Sequence, residues 1–250
     1  MRGGGQTRFL SGKGFTLAEV LITLGVIGIV AAMTLPVITQ KTQDKQTVSQ
    51  LKKAYSALSQ AYLMAVNENG TPENWGAGGI NEDESHKIMA RNFTKYMKVI
   101  VDCIDMSNSD VAKYCSEKFA NTKYYSTVRI ADGATVSFRM WYGDCKSVYG
   151  TTKPLKNVCG RFTVDVNGNK KPNEYGQDMF SFYVTKQGIF PMGSENDTVV
   201  MFKKYCDRHK ISEDTNYDHG MGCTAWVLMN ENLDYKYCDD LNWGGKTKCK

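Results

Sequence analysis

The sequence lacks the usual signatures of a catalytic site. It contains no Cys-x-x-Cys pair, no glycine-rich phosphate loop and no His-x-x-x-His pair, which excludes the common redox, nucleotide and zinc motifs. Its three histidines do not stand beside a serine or cysteine in a known nucleophile motif. The sequence therefore predicts a protein that is not an enzyme.

Long runs of basic residues are also missing. The chain has 31 Lys+Arg against 26 Asp+Glu, a formal net charge of +5, and no segment dense enough in Lys and Arg to follow a phosphate backbone. Nucleic acid is therefore not predicted as a partner. Three of the basic residues, Arg2, Arg8 and Lys13, lie in residues 1–14, which contain no acid.

Cysteine is absent from residues 1–102, and all eight cysteines follow this part of the chain. An even number at intermediate spacing favours disulfides in an oxidising compartment over zinc ligands. Reduced, buried thiols in a cytosolic protein are the alternative. About a hundred pairings are possible, so the connectivity stays open. The candidates are Cys103, Cys115, Cys145, Cys159, Cys206, Cys223, Cys238 and Cys249.

A long apolar run follows the basic N-terminus. Residues 15–38 carry a single charge, Glu19, and as a helix they span about 36 Å, which exceeds the bilayer's hydrocarbon core of about 30 Å. The run predicts a membrane span whose basic end is cytoplasmic, with the cysteines outside. From the apolar run alone, three interpretations are open: a plain anchor helix, a secretory signal peptide cut after Ala32, and a leader removed before the run.

The segment that contains Glu19 resembles a known processing signal. Residues 14–22, GFTLAEVLI, are similar to the cleavage and methylation signal of type IV prepilins and type II secretion pseudopilins. This resemblance implies cleavage between Gly14 and Phe15, N-methylation of Phe15, and pairing of Glu19 with the terminal amine of a neighbouring subunit. Pro36 matches the family's proline near the end of the span, and its alternative role is to end the helix.

The resemblance also implies a function, partners and a location. The function is that of a structural subunit of a type II secretion pseudopilus or a type IV pilus-like filament. Its partners are prepilin peptidase, other pilin or pseudopilin subunits and the inner-membrane assembly platform. The protein would cross the bacterial inner membrane once, with a cytoplasmic N-terminus and an extracytoplasmic C-terminal domain, and then enter the pilus or pseudopilus. A soluble secreted or surface binding protein with a conventional signal peptide is the alternative.

The pattern after residue 38 predicts a continued helix and then strands. Apolar residues from Val48 to Tyr62 step by three or four, and the breakers in residues 67–72 end this amphipathic stripe. Residues 86–101 also keep helical spacing and predict a second helix. Four strands are predicted at residues 127–131, 135–142, 161–166 and 179–185.

These elements predict an α+β protein of the pilin-like kind. Residues 1–14 form the leader, residues 15–38 the transmembrane part of the N-terminal helix, and residues 39–68 its outward amphipathic half. Residues 69–250 form an extracytoplasmic α+β domain, held by disulfides, in which an antiparallel sheet packs on the long helix.

The loop at residues 165–178 is the candidate metal site. Asp165, Asn167 and Asn169 recur at every second residue, as oxygen ligands do in calcium loops. Two lysines in the loop oppose a cation, and a long hairpin loop with ordinary turn residues is the alternative. Major pseudopilins bind calcium in a loop near their C-terminal strands. The resemblance therefore implies a calcium site formed by Asp165, Asn167 and Asp178, although assembly requires no cofactor.

Overall fold

A computed structural model describes residues 15–80, 82–206 and 217–249 of the chain. Its helices are α1 (Leu17–Asn69), α2 (Asp83–Thr94), α3 (Asn108–Tyr114), α4 (Phe202–Tyr205) and α5 (Thr224–Asn230). Its strands are β1 (Val99–Asp102), β2 (Ser126–Ile130), β3 (Thr135–Met140), β4 (Val158–Asp165), β5 (Met179–Thr185) and β6 (Gly188–Pro191). A long N-terminal helix followed by an antiparallel sheet confirms the predicted α+β class.

The long helix belongs to two structural units. The chain divides into Met1–Gln43 and Asp44–Lys250, and the division falls inside α1. The described part of the first unit is helical and largely exposed, whereas the second unit contains the sheet and the remaining helices. Pro36 lies inside α1, so it does not end the helix.

The sheet of the second unit is a simple antiparallel meander. Its strand order is β1-β2-β3-β4-β5-β6, so each strand pairs with the next one in sequence. The register places Phe138, Phe162 and Phe182 side by side on one face. This face packs on Leu51 and Leu58 of α1, which are fully buried in the same core. The amphipathic stripe of the sequence is therefore the contact surface of α1 with the sheet.

The opposite face of the sheet has its own aromatic core. Trp141 stacks on Tyr149 with ring centroids 5.0 Å apart, and Tyr183 from β5 lies 5.0 Å from Tyr149. Tyr183 also donates a hydrogen bond to the buried carboxylate of Asp197 at 3.0 Å. Both faces are thus covered, which explains why β4 and β5 are buried along their whole length.

The C-terminal segment is held against the second-unit part of α1 by charge pairs. Lys52 pairs with Glu231, and Asp44 accepts hydrogen bonds from Lys236 at 2.8 Å and from Tyr237 at 2.7 Å. Exposed ion pairs contribute little each, but the Lys236 and Asp44 side chains are largely buried. The contacts of Asp44 hold the C-terminal segment against the first turn of the second-unit part of α1.

The second predicted helix is partly wrong. α2 ends at Thr94, and Val99–Asp102 forms the edge strand β1 instead of continuing the helix. Val101 pairs with Arg129 of β2, and the strand alternates between partly buried and exposed side chains, with Ile100 among the exposed ones. A short apolar run fits both the helical and the strand periodicity, and pairing with a distant strand decides between the two structures.

All eight cysteines form disulfides, as predicted. The pairs are Cys103–Cys115, Cys145–Cys159, Cys206–Cys223 and Cys238–Cys249, so consecutive cysteines are joined two by two along the sequence. The bridges close loops with sequence separations of 11 to 17 residues. The structure thus supplies the connectivity that the sequence left open.

Candidate functional site

The described chain begins with a reciprocal cap at the start of α1. The backbone N–H of Glu19 donates to Thr16 Oγ1 at 3.2 Å, and Glu19 Oε2 accepts from the backbone N–H of Thr16 at 2.8 Å. The Thr16 hydroxyl donates to the same carboxylate oxygen at 2.7 Å. This capping box satisfies N–H groups that a helix end leaves without partners. Glu19 therefore has a structural role in its own chain in addition to the predicted assembly role.

Around Glu19, the first unit presents an apolar surface. Large apolar side chains are exposed from Phe15, at 88%, to Ile38, at 60%. Within the described residues, α1 is the one helix that is long and apolar enough to cross a membrane. A continuous exposed surface of this kind needs lipid or protein to cover it. Gly14, the residue before the predicted cleavage site, lies outside the described residues.

Pro36 sits between two threonines that bond back to the helix. Thr34 Oγ1 donates to the carbonyl of Val30 at 2.9 Å, and Thr39 Oγ1 donates to the carbonyl of Leu35 at 2.8 Å. Proline supplies no N–H to the carbonyl four residues earlier, which weakens the helical ladder at this point. The helix nevertheless continues on both sides of Pro36.

Asp178 organises the loop between β4 and β5. Its buried carboxylate accepts from the backbone N–H of Asn173 at 2.9 Å, from that of Glu174 at 2.8 Å and from Asn167 Nδ2 at 3.1 Å. These three donors occupy both carboxylate oxygens. Asp178 thus closes the loop onto the start of β5 by hydrogen bonds of its own.

A second set of oxygens converges on the side-chain amide of Asn173. With the amide nitrogen turned into the loop, that nitrogen lies 3.0 Å from Asp165 Oδ2, 3.0 Å from the carbonyl of Gly168 and 2.9 Å from the carbonyl of Lys170. The orientation is assigned from these contacts. An amide group has two hydrogens, so three acceptors outnumber its donors. We call Asp165 Oδ2 and the two carbonyls the oxygen cradle.

The electrostatics of this loop favour a positive group. Burial, and after it the negative charge of Asp178, raises the pKa of Asp165 to about 8. Asn167 Oδ1 is also buried and has no hydrogen-bond partner within the described residues. Oxygen ligands of this kind are those that a hard cation prefers. The Arg129 guanidinium already places a positive charge near Asp165, and its buried Nε has no hydrogen-bond partner within the described residues. In the described part of the chain, however, no three His, Cys, Asp or Glu side chains gather as metal ligands.

The three predicted metal-site residues lie in one loop but make different contacts. Asp165 contributes an oxygen to the cradle, and Asn167 has a buried oxygen without a partner in the described residues. Asp178 accepts hydrogen bonds from the loop backbone. Asn173 and the two carbonyls were not among the predicted ligands. A Pro-Asn dipeptide was visible as a turn signal, and Asn173 does adopt the left-handed conformation that such turns use, with φ of 53°.

Two family models match the chain. The prokaryotic N-terminal methylation motif matches residues 11–35, which include Phe15 and Glu19. The model described as a family of unknown function, DUF6613, matches residues 37–240 and thus most of the chain. The chain belongs to the DUF6613 family. No curated protein and no solved structure matches it.

The motif match confirms the resemblance seen in the sequence of this DUF6613 chain, which is type IV prepilin-like. A motif of this type implies processing by prepilin peptidase and assembly with other pilins in general. Together with the exposed apolar helix, it is consistent with a single-pass, membrane-anchored protein. The DUF6613 match begins directly after Pro36, so it covers the rest of α1 and nearly all of the disulfide-bonded unit.

Proposed function

We propose that the DUF6613 chain is a structural subunit of a type II secretion pseudopilus or a type IV pilus-like filament. The observation that carries the proposal is the methylation motif at residues 11–35, which overlaps the start of an exposed apolar helix. The same chain also contains a disulfide-bonded α+β unit. The proposed role is structural rather than catalytic. Prepilin peptidase, pilin or pseudopilin subunits and the inner-membrane assembly platform are its proposed partners.

Assembly would use the apolar half of α1 twice. In the inner membrane, with the N-terminus in the cytoplasm, lipid covers the side chains of residues 15–38. In the filament, neighbouring helices cover the same side chains, so lipid contacts are exchanged for protein contacts. Cleavage after Gly14 creates a cationic amine on Phe15, which pairs with Glu19 of a neighbouring subunit in the low-dielectric interior.

Processing predicts a specific N-terminus for the mature chain. When the full chain is produced together with a prepilin peptidase, mass analysis of the membrane fraction is expected to find N-methylated Phe15. A chain that starts near Met33 would contradict the proposal and support the secreted binding protein with a signal peptide. A chain that retains Met1 under the same conditions would indicate a plain anchor helix. Omission of the peptidase is the control, and it should leave the leader in place.

We also propose that the loop at residues 165–178 binds calcium. The support is the set of oxygens in this loop: Asp165 Oδ2 and the carbonyls of Gly168 and Lys170, which converge on one point, and the buried, unpartnered oxygen of Asn167. Calcium accepts six to eight such oxygens in flexible geometry. In this ligand set, Asp165 and Asn167 are ligands, as the sequence predicts. Asp178 is not a ligand and instead holds the loop backbone through its hydrogen bonds. Bound calcium would join β4 to β5 at the open end of their pairing.

Calcium binding predicts a shift in thermal stability. Calcium at about a hundred times its Kd is expected to raise the Tm of the full chain in detergent by roughly 5–10 °C over the value in chelator. Asp165→Asn keeps the shape but removes the one carboxyl group of this ligand set, which calcium would bind in its ionised form, and should abolish this shift. Magnesium is the control cation, since it prefers a smaller octahedral site. An identical Tm of the unsubstituted chain in calcium and in chelator would exclude the site.

A further inference from the structure

Two arginines lie side by side on the sheet face opposite the one that packs on α1. Arg139 of β3 is paired in the register with Arg161 of β4, and Tyr183 of β5 continues the same row. Arg161 is 6% exposed, whereas Arg139 is partly exposed. Like charges directly opposite one another on neighbouring strands destabilise a sheet, and burial increases this cost. A negative group at this position would therefore stabilise both arginines.

The hydroxyl of Tyr125, the residue just before β2, is an acceptor that both guanidinium groups share. Arg139 Nη1 donates to it at 3.2 Å, and Arg161 Nη2 donates to it at 3.4 Å. Because these two donors engage the lone pairs of the oxygen, the hydrogen of Tyr125 is left for a further acceptor. The three side chains thus form a group of donors that converge on one region.

These donors have too few acceptors. Nε of Arg139 and Nε of Arg161 are buried and have no hydrogen-bond partner within the described residues. Arg161 Nη1 lies 3.4 Å from the sulfur of Met221, which is a weak acceptor. Asp218 is close enough for its charge to act on Arg161. Among the described residues, however, no carboxylate forms a hydrogen bond or an ion pair with either guanidinium.

The pair of arginines reaches the protein surface at Arg139. The guanidinium of Arg139 lies over the partly exposed rings of Tyr124, at 5.7 Å, and Tyr125, at 5.3 Å. The ammonium of the exposed Lys123 lies 5.7 Å from the centroid of the Tyr124 ring. Positive charge at a surface raises the local concentration of anions. An anion from solvent would thus meet Arg139 without entering the core, and Arg161 would add its charge from below.

From this arrangement we infer that Arg139, held by Tyr125 and backed by Arg161, binds the terminal phosphate group of a soluble ligand. Such a group carries a charge of about −1.5 to −2 at pH 7 and three acceptor oxygens, which suits a planar fork of donors with a second positive charge behind it. A carboxylate carries one negative charge and would balance only one of the two arginines. The site does not include the apolar half of α1, so it is independent of the proposed assembly.

Inorganic phosphate, titrated into the full chain in detergent at pH 8 and constant ionic strength, tests the inference. Isothermal titration calorimetry is expected to show saturable binding, and Arg139→Gln should weaken it at least about tenfold, because a charge-assisted contact is lost. Tyr125→Phe keeps the ring that packs on Phe119 but removes the shared hydroxyl, and it should weaken binding several-fold. Lys98→Gln removes one positive charge at an exposed position outside this group and should leave the affinity unchanged.

The choice of ligand separates the possible sources of the phosphate group. Glycerol 3-phosphate, which has a terminal phosphate, should bind like inorganic phosphate, and acetate should bind at least about tenfold more weakly. Tighter binding of glycerophosphoglycerol, a phosphodiester with the headgroup chemistry of phosphatidylglycerol, would assign the site to a lipid and overturn the inference. Absence of saturable phosphate binding, or equal affinities of the unsubstituted chain and Arg139→Gln, would overturn it as well.

Discussion

Glu19→Ala is expected to leave cleavage after Gly14 largely intact and to remove the subunit from filaments. The neighbouring amine of Phe15 would then be buried in the filament without a partner, at a cost of about 3–5 kcal/mol. Such a cost corresponds to a loss of incorporation on the order of a hundredfold or more. Filament fractions and membrane fractions, quantified with an antibody against the C-terminal unit, give the ratio of assembled to stored subunit.

The cap at the start of α1 makes a sharper control possible. Glu19 also accepts hydrogen bonds from Thr16, so Glu19→Ala removes a helix cap together with a charge. Glu19→Gln keeps an acceptor oxygen for the cap but has no charge, and we expect it to fail in assembly as well. Thr16→Ala weakens the cap but keeps the charge, and it should assemble. Normal filaments from Glu19→Gln would show that the cap, and not the charge pair, is the contribution of Glu19.

Removal of the Cys145–Cys159 disulfide is expected to cause a larger loss of stability than removal of the Cys238–Cys249 disulfide. In the double substitution Cys145→Ala and Cys159→Ala, loss of the loop constraint costs about 3 kcal/mol. Both side chains are 0% exposed and belong to the core beneath α1, so the cavities add about 2 kcal/mol. Urea denaturation of the full chain in detergent measures the free energy of unfolding.

The matched comparison is the pair Cys238→Ala and Cys249→Ala. This bridge closes a loop of similar size, with a sequence separation of 11 against 14, but its cysteines are only partly buried. Its removal should therefore cost the loop constraint of about 3 kcal/mol and little more. Equal losses from the two double substitutions would mean that burial of the Cys145–Cys159 bridge contributes nothing to its stabilising effect.

The parts of the fold that sequence predicted well are those with strong local patterns. The stripe from Val48 to Tyr62 identifies the face of α1 that meets the sheet, and alternation with an Asp-Gly turn identifies β2 and β3. β1 lacked such a signal because its four residues follow a helix with the same apolar spacing. Its conformation depends on pairing with β2, some thirty residues later in the chain.

The candidate sites show the same limit. Phe15 and Glu19 could be identified in the sequence because a linear motif carries their chemistry, whereas the capping box that Glu19 forms with Thr16 depends on where the helix begins. In the loop at residues 165–178, the alternating oxygen-bearing residues of the sequence indicated Asp165. The contacts of Asn173 depend on a left-handed backbone conformation and on carbonyl groups, which have no side-chain signature.

The pairing of consecutive cysteines, two by two along the chain, has a consequence for biogenesis. Because the chain is made from its N-terminus, the partner of Cys103 follows after 12 residues, and no first cysteine precedes its partner by more than 17. Each partner therefore emerges before the first cysteine of the next pair. An oxidant that joins cysteines strictly in order of appearance would produce the native set without reshuffling by an isomerase.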